Sequence, residues 1–342
     1  MEKEPLIGKT LDALQLLAKS LEMPAYTAKQ IAGWLYKKKV RSIDEMTNLS
    51  LTQREKLKEK YEVGCVTYTR KQQSVDGTRK YLFPVSGNKF IETVYIPDKE
   101  RATLCISSQV GCKMDCLFCM TGKQKFSAQL SAAEIINQIL SVPESDLLTN
   151  FVFMGMGEPM DNVDELFKAL EILTADYGFA FSPKRITVSS IGLIPGLKRF
   201  LAESQCHLAI SIHSPYHEER LALMPVEKAC PIAEVVELIK QYDFSHQRRV
   251  SFEYIMFGGL NDDLKHARDL AGLLSGLFCR INLIKYHRIP GINLPATDIA
   301  KMVPFRDYLS SKGLISTIRS SRGEDILAAC GMLSSKVFLE QK

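Results

Sequence analysis

From residue 100 onward the sequence repeats one unit: a short run of β-branched and apolar residues, a loop, then an amphipathic stretch. The strand candidates are ATLCISS (102–108), NFVFMGM (150–156), RITVSSI (185–191), HLAISIH (207–213), VSFEYIMF (250–257), RINLIKY (280–286) and LISTIRS (314–320). Between them, SAAEIINQIL opens on a capping box, Ser131 with Glu134, and NVDELFKALEIL opens in a similar way on Asn162 and Glu165. PIAEVVELIKQY and DDLKHARDLAGLL carry apolar residues at helical spacing. This alternation predicts parallel strands with helices packed outside them. Six or seven units predict an α/β chain built as an incomplete barrel of the (β/α)6 type, with its chemistry at the C-terminal ends of the strands.

The chain before this repeat reads differently. Residues 1–65 are predicted to be helical. TLDALQLLAKSL has helical spacing, TAKQIAGWLYKKK opens on Thr27 as an N-cap, and SIDEMTNLSLTQREKLKEKY reads as two short helices. Residues 66–97 alternate and carry the turn signals DG and SGN, which predicts a small antiparallel β linker. The expected organisation is therefore a helical accessory domain (1–65), a β linker (66–97), the barrel (98–333) and a tail (334–342). A chain of 342 residues exceeds what one core commonly serves, which suits a large domain with an appendage. The N-terminal MEKEPLIGKT has neither the apolar core of a signal peptide nor an Arg-rich transit pattern. No apolar run approaches the ~18 residues of a membrane span, so a soluble, cytoplasmic chain is expected. The net charge of +5 permits a nucleic-acid partner without requiring one.

Nine cysteines in a cytosolic chain argue against a disulfide framework and for metal or redox chemistry where they cluster. Cys65, Cys206, Cys230 and Cys279 stand alone and read as small buried hydrophobes. Cys112, Cys116 and Cys119 crowd into GCKMDCLFCMTG. Three thiolates can hold three corners of a [4Fe–4S] cluster and leave one iron open. Alternatively, Cys105 supplies a fourth ligand for zinc. The C-x6-C-x3-C-x2-C run lacks the knuckle-like pairs of zinc sites, so the spacing favours iron–sulfur. His213 and His217 stand four apart, but Pro215 interrupts any helix between them and no HExxH run exists. They do not read as a zinc pair. His207, His217, His246 and His266 are expected at the surface or in turns.

The C-x3-C-x-aromatic-C pattern, with Phe118 as the aromatic, resembles the radical S-adenosylmethionine (SAM) superfamily, and FMGMGEPM fits its glycine-rich second strand end. RATLCISSQVGCKMDCLFC, FMGMGEPMDN, ITVSSIGLIPGL, AISIHSPYHEER and RGEDILAACGML follow one another as in the bacterial dual-specificity ribosomal and transfer RNA (adenine-C2)-methyltransferases. The resemblance covers residues 7–333. It implies a radical SAM barrel whose cluster, on Cys112, Cys116 and Cys119, binds and cleaves SAM. It implies two SAM per turnover, one methylating Cys330 and one giving the deoxyadenosyl radical that activates this methyl for addition to adenine. Glu92 matches the base that takes the ring proton, and Cys105 the thiol that closes a disulfide with Cys330 to release product. The matching SAM contacts are Gly157, Glu158, Ser189, Ser211, Ile212, His213 and His287, the last often asparagine in the family. Without the resemblance, Glu92 reads as an exposed strand residue, Cys330 as a helix-packing cysteine and His287 as a loop histidine.

The implied substrates are adenosine 2503 of 23S ribosomal RNA and adenosine 37 of transfer RNAs, with flavodoxin or ferredoxin as electron donor and a monomeric enzyme. SIHSPYHEER and SSIGLIPG are also similar to a sister family that methylates C8, which stands as an alternative. A zinc-stabilised RNA-binding protein without catalysis is the alternative from another class. Basic segments that could face RNA are KKKVR (37–41), RKQQSVDGTRK (70–80), GKQKF (122–126) and SHQRR (245–249). Within the first, Lys37, Lys38 and Lys39 are expected to bind phosphate.

Overall fold

The protein is described by a computed structural model covering residues 3–244 and 248–336. Ten strands form one sheet in unbroken chain order. They are β1 (Arg70–Gln73), β2 (Arg79–Val85), β3 (Lys89–Asp98), β4 (Arg101–Cys105), β5 (Asn150–Phe153), β6 (Ile186–Ser190), β7 (His207–Ser211), β8 (Val250–Met256), β9 (Cys279–Lys285) and β10 (Ile315–Ile318). β1 to β4 pair antiparallel, and β4 to β10 pair parallel throughout. A change of hand in the pairing thus falls at β4, where the hairpins of the linker give way to crossover connections.

Three helices precede the sheet: α1 (Leu11–Ser20), α2 (Thr27–Ala32), which continues as a π-helical turn over Gly33–Lys37, and α3 (Leu51–Lys60). Among the described residues, six longer helices fill the crossovers, α4 (Ala132–Leu140), α5 (Val163–Thr174), α6 (Ile194–Glu203), α7 (Ile232–Lys240), α8 (Leu264–Leu273) and α9 (Ile299–Ser311), with two short ones, Met120–Lys123 and His217–Leu223, beside them. The result is six βα units and a closing seventh parallel strand, a barrel left open because β10 and β1 are the two ends of the sheet. The inward strand residues and one face of each helix form a contiguous apolar core that also takes in Leu14, Leu17, Ile31 and Leu35 of the N-terminal helices. Gly8, at φ +79°, lets the N-terminal chain lie against the start of α4, where a Cβ would meet Ala133 N at 2.2 Å.

The capping box of α4 forms as expected, with Ser131 Oγ accepting from Glu134 N and Glu134 accepting from Ser131 N at 2.9 Å. The one expected at α5 does not. Asn162 instead donates to Ser108 O (3.0 Å) and Leu130 O (2.7 Å), and Glu165 accepts from Ala132 N (2.7 Å). Both side chains serve the loop that follows β4 and the start of α4, because the buried carbonyls there have greater need of donors than an exposed helix end.

Past β10 the chain crosses to the far end of the sheet. Gly323 N donates to Asp76 in the β1–β2 turn, and Ser74 donates to Asp325. The segment then docks on the short helix Met120–Lys123: Met120 N donates to Gly331 O (2.8 Å) and Thr121 Oγ1 to Leu333 O (2.8 Å). A small apolar cluster of its own, Ile289, Ala329 and Met332 with Met120, Ile292 and Leu327, holds it down. Of the tail expected at 334–342, residues 337–342 lie outside the described residues. No helix among the described residues is long and apolar enough to cross a membrane.

Candidate active site

Cys112, Cys116 and Cys119 occupy the loop after β4, at the C-terminal end of the first parallel strand. Leu117 N donates to Leu223 O and Cys119 N to Cys116 O, which pins the loop between the helix at 217–223 and the one it leads into. The loop borders a cavity of about 150 Å³. Gly157, Glu158, Ser189, Ser211, His213 and Cys330 line the same cavity. Nine residues from five chain segments, expected from sequence to act together, therefore meet at one place.

The glycines after β5 explain how the mouth is built. Gly157 has φ +99°, and a Cβ there would stand 2.5 Å from Gln109 Cβ. Gly155 is as tight against Ser107 Oγ, at 2.6 Å. The turn is laid flat on residues 107–109, and Glu158 N donates to Gln109 Oε1 at 2.8 Å. Glu158 is then buried, its oxygens accepting from Met160 N and Ile191 N, each at 3.1 Å. Burial pushes its carboxyl up to about 7, although the Ser190 hydroxyl and these donors pull the other way.

His213 is buried with φ +59°, its ring edge-on to Phe118. Nδ1 accepts the N–H of Ile255 at 3.0 Å, so the neutral ring carries its proton on Nε2. Burial first, and then the charge of Arg220, lower its pKa to about 3, so it stays neutral. Ile212 is buried beside it and does not line the cavity; its N–H donates to Glu253 O at 3.0 Å.

The thiols sit in a setting that favours protons. Burial pushes Cys112 up to about 12 and Cys116 well above its ordinary value, and the neighbouring cysteines and Glu158 add to both. Such a group of thiols sheds protons only to a cationic metal centre. Among the described residues no three His, Cys, Asp or Glu side chains close on one point as a single ion demands. Sulfurs spread round one end of a cavity suit a cluster with separate corners better than one tetrahedral zinc. The donor set thus fits an iron–sulfur cluster.

All nine cysteines are free thiols. Cys330 is exposed, whereas Cys105 is buried at the end of β4, pushed up to about 12 by burial and then by the nearby charge of Cys330. No disulfide joins them. Cys206, Cys230 and Cys279 are buried as expected, and Cys65 is half-buried.

Glu92 and His287 stand apart from the cavity. Glu92 is fully buried rather than exposed, with Lys80 Nζ 3.1 Å from Oε1 and Ser334 N donating to Oε2 at 2.7 Å. His287 faces the C-terminal segment: Nε2 is 3.0 Å from Ser321 Oγ and Nδ1 is 3.1 Å from Glu324. Its position supports that segment and brings it to none of the cavity residues.

Sequence reasoning passed over three charged residues here. Arg220 is wholly buried, pairs with Glu227, and donates to Ile191 O (2.8 Å), Ser211 O (3.2 Å) and Ile212 O (3.2 Å). It ties together the strand ends that carry Ser189, Ser211 and His213. Glu253 and Arg319 line the cavity and pair at 3.3 Å, with Asn282 donating to Glu253 at 2.7 Å. A lone acid inside an otherwise apolar strand was the signal available for Glu253.

The basic segments divide. Lys37 and Lys38 are exposed, Lys38 lying over the Trp34 ring. Lys39 instead bonds Asp146 (2.6 Å) and Ser145 (2.9 Å), and Arg41 donates to Leu140 O (2.6 Å). These two hold the N-terminal helices to the barrel because loop carbonyls and a carboxylate lie opposite them. Arg79 pairs with buried Glu144, and Lys80 is buried, leaving Arg70 and Lys71 at the surface. Lys123 pairs with Asp115 and Lys125 is exposed. Arg248 is buried and caps α6 through Phe200 O (2.9 Å) and Leu201 O (2.8 Å), while residues 245–247, with His246, lie outside the described residues.

The other histidines differ from expectation in one case. His266 is buried between Asp263 (2.7 Å) and Glu219 (3.0 Å), joining the start of α8 to the helix at 217–223. His217 faces Glu227 at 3.0 Å, and half-buried His207 accepts from Arg249 N at 3.1 Å. His213 and His217 thus have separate partners.

An open parallel barrel with three cysteines in its first loop and a Gly-Glu turn after its second strand defines a radical SAM protein. Residues 106–271 match the radical SAM superfamily, and residues 5–63 match the "Ribosomal RNA large subunit methyltransferase N-terminal domain". A "Probable dual-specificity RNA methyltransferase RlmN" of Parabacteroides distasonis is 63% identical over 335 residues, 98% of each chain. The "Dual-specificity RNA methyltransferase RlmN" of Syntrophus aciditrophicus is 40% identical over 340 residues, 97% of each chain. The crystal structure of a radical SAM methyltransferase from Sphaerobacter thermophilus superposes with a TM-score of 0.90 at 36% identity, covering 96% of this chain and 98% of that one. The chain belongs to the RlmN family of dual-specificity RNA methyltransferases.

Proposed function

We propose that the protein methylates C2 of an adenosine in 23S ribosomal RNA and in transfer RNA, passing the methyl group through Cys330. The observation that carries this reading is that Cys330, the one exposed cysteine, shares a cavity with Cys112, Cys116, Cys119 and the Gly157-Glu158 turn. Adenine C2 is electron-poor and a weak nucleophile, so a radical route suits it. Cys112, Cys116 and Cys119 would hold a [4Fe–4S] cluster, which with bound SAM supplies a deoxyadenosyl radical, while a further SAM supplies the methyl group.

The chain's own residues do the rest. Glu158 offers a carboxylate that a cationic ligand would draw to its ionised form. His213 offers Nε2–H as a fixed donor. Ser189 and Ser211 add hydroxyls at neighbouring strand ends. Arg220 keeps those ends in register. Glu92 takes the proton from the ring carbon. The electron left unpaired by the addition would return to the oxidised cluster. Cys105, as a thiolate, attacks the Cys330 sulfur, forming the S–S bond as the S–C bond to RNA breaks; the electron pair leaves with carbon, which takes up a proton to complete the methyl group.

The adenine must leave its stack to reach such a site, so folded RNA presents it by base flipping. Exposed Lys37, Lys38, Arg70, Lys71 and Lys125 are the phosphate contacts in this reading. An electron donor of the flavodoxin or ferredoxin class and the cytoplasm complete it.

The test is anaerobic turnover of reconstituted protein with SAM and a 23S ribosomal RNA fragment, digested and compared with 2-methyl- and 8-methyladenosine standards by mass spectrometry. The expected product is 2-methyladenosine, with deoxyadenosine alongside and an S-methyl group on Cys330. The 8-methyl isomer, or no methylated base, overturns the assignment.

A further inference from the structure

Both oxygens of Glu92 are engaged, and neither partner belongs to the motifs that carry the cysteines. Oε1 lies 3.1 Å from Lys80 Nζ, and Oε2 accepts the N–H of Ser334 at 2.7 Å. Lys80 is on β2 and Glu92 on β3, where Leu82 faces Glu92 and Lys80 faces Val94. The two are therefore diagonal neighbours on one face of the ladder. They are 2% and 0% exposed. Lys80 also donates to Leu327 O at 3.4 Å. The pair thus grips the C-terminal segment at Leu327 and at Ser334, on both sides of Cys330.

We propose that Lys80 is a positioning residue for the proton transfer to Glu92, supplying the charge that keeps the carboxylate a base while Ser334 gives way to the RNA base. This rests on reading Glu92 as the group that takes the ring proton. A carboxylate buried without a counter-charge takes up a proton itself and can no longer act as a base. Lys80 comes from β2, and Ser334 N–H from the C-terminal segment. The Met156 thioether accepts the backbone N–H of Glu92 (3.3 Å), and Ser107 Oγ donates to its carbonyl (2.6 Å). Among the described residues Lys80 is the charged member of this set. Burial pushes the Glu92 carboxyl up and Lys80 opposes that; burial lowers Lys80 and Glu92 opposes it in turn.

The step balances simply. The proton moves from the ring carbon to Oε2, the C–H electron pair stays with the ring, and the pair goes from lysinium–carboxylate to lysinium–carboxylic acid. Lys80 gives up no proton. Ser334 N–H occupies Oε2 until the segment shifts, so the base is freed by the movement that also carries Cys330.

The test compares wild type with Lys80→Met, Lys80→Gln, Lys80→Arg and Glu92→Gln in single turnover with RNA and SAM. The covalent protein–RNA adduct is read on denaturing gels, and methyladenosine release is followed from pH 6.5 to 9. Lys80→Gln retains a donor for Leu327 O while removing the charge, and it serves if Lys80→Met does not fold. Both neutral variants are expected to carry a Cys330 S-methyl group, accumulate adduct and release product about a hundredfold more slowly at pH 7, recovering as pH rises. Lys80→Arg should stay close to wild type. Neutral variants that release product with the wild-type pH profile, while Glu92→Gln traps adduct, overturn the role of Lys80 and leave Glu92 as base. Release without adduct in Glu92→Gln overturns the reading of Glu92, and the role of Lys80 with it.

Discussion

Glu158 and Glu92 are buried on either side of Met156, one at the mouth of the parallel barrel and one in its antiparallel extension, and they are kept there by different means. Glu158 has neutral donors, the Ser190 hydroxyl with Met160 N and Ile191 N, and among the described residues no ion-pair partner. Glu92 has Lys80. Hydroxyl and backbone N–H donors carry only partial charge, so they offset burial incompletely, and the mouth carboxyl stays near neutrality. A full counter-charge at 3.1 Å holds the other. The mouth is thereby responsive to a cationic ligand, whereas the extension is set before any ligand arrives.

The comparison can be broken at the mouth first. Replacing Cys112, Cys116 or Cys119 with alanine should abolish iron binding and deoxyadenosine formation, read by iron analysis and chromatography. Glu92→Gln should leave both intact, because in the proposed function Glu92 acts after the radical has formed. Loss of deoxyadenosine in Glu92→Gln would merge the two regions into one functional unit.

Arg220→Met comes next. It leaves Glu227 buried without a guanidinium, with only His217 and the N–H of Ile232 beside it, and a loss of about 3–5 kcal/mol in urea unfolding is expected. A loss under 1 kcal/mol would mean that water reaches Glu227 and that the strand ends do not depend on Arg220.

The titration of Glu158 is smaller and has a definite sign. Its unfolded carboxyl titrates near 4.5 and the folded one at about 7, so the folded chain holds a proton the unfolded chain has shed. The stabilisation is complete below pH 4.5 and is lost as pH rises through 7, to a total of about 3 kcal/mol. Denaturant melts of chelator-stripped protein at pH 5 and pH 8 should show this fall in wild type and not in Glu158→Gln. Equal slopes would place another group in that range.

The smallest effects concern the N-terminal helices. Lys39→Ala should cost under about 1 kcal/mol of stability and leave the salt slope of RNA binding unchanged, since Lys39 faces Asp146. Lys38→Glu should weaken RNA binding and reduce that slope by about 1 or more. The reverse pattern would restore Lys39 as a phosphate contact.

How much could be read in advance follows the range of the interaction. Five of the seven parallel strands fall inside the predicted runs, and β4 and β9 begin one residue before theirs, because each depends on a local hydrophobic pattern and a turn. The capping box at Ser131 was equally local, and it formed. Asn162 carried the same kind of signal, but distant carbonyls took its side chain. Lys80 and Arg248 sat in basic runs that read as solvated faces, yet both are buried, because hydrogen bonds from far along the chain satisfy them. Glu92 is buried because Lys80 on the next strand pairs with it and the N–H of Ser334, 242 positions away, caps its other oxygen.

The sequence by itself determined the barrel, its strand order and the trio of cysteines in its first loop, since periodicity and short spacings are properties of neighbouring residues. Only the tertiary structure decided which charges lie buried, that Cys330 returns to the cavity across the open side, that Arg220 ties the strand ends together and that Lys80 pairs with Glu92. Those outcomes depend on desolvation and on partners brought together by folding, and a one-dimensional pattern contains neither.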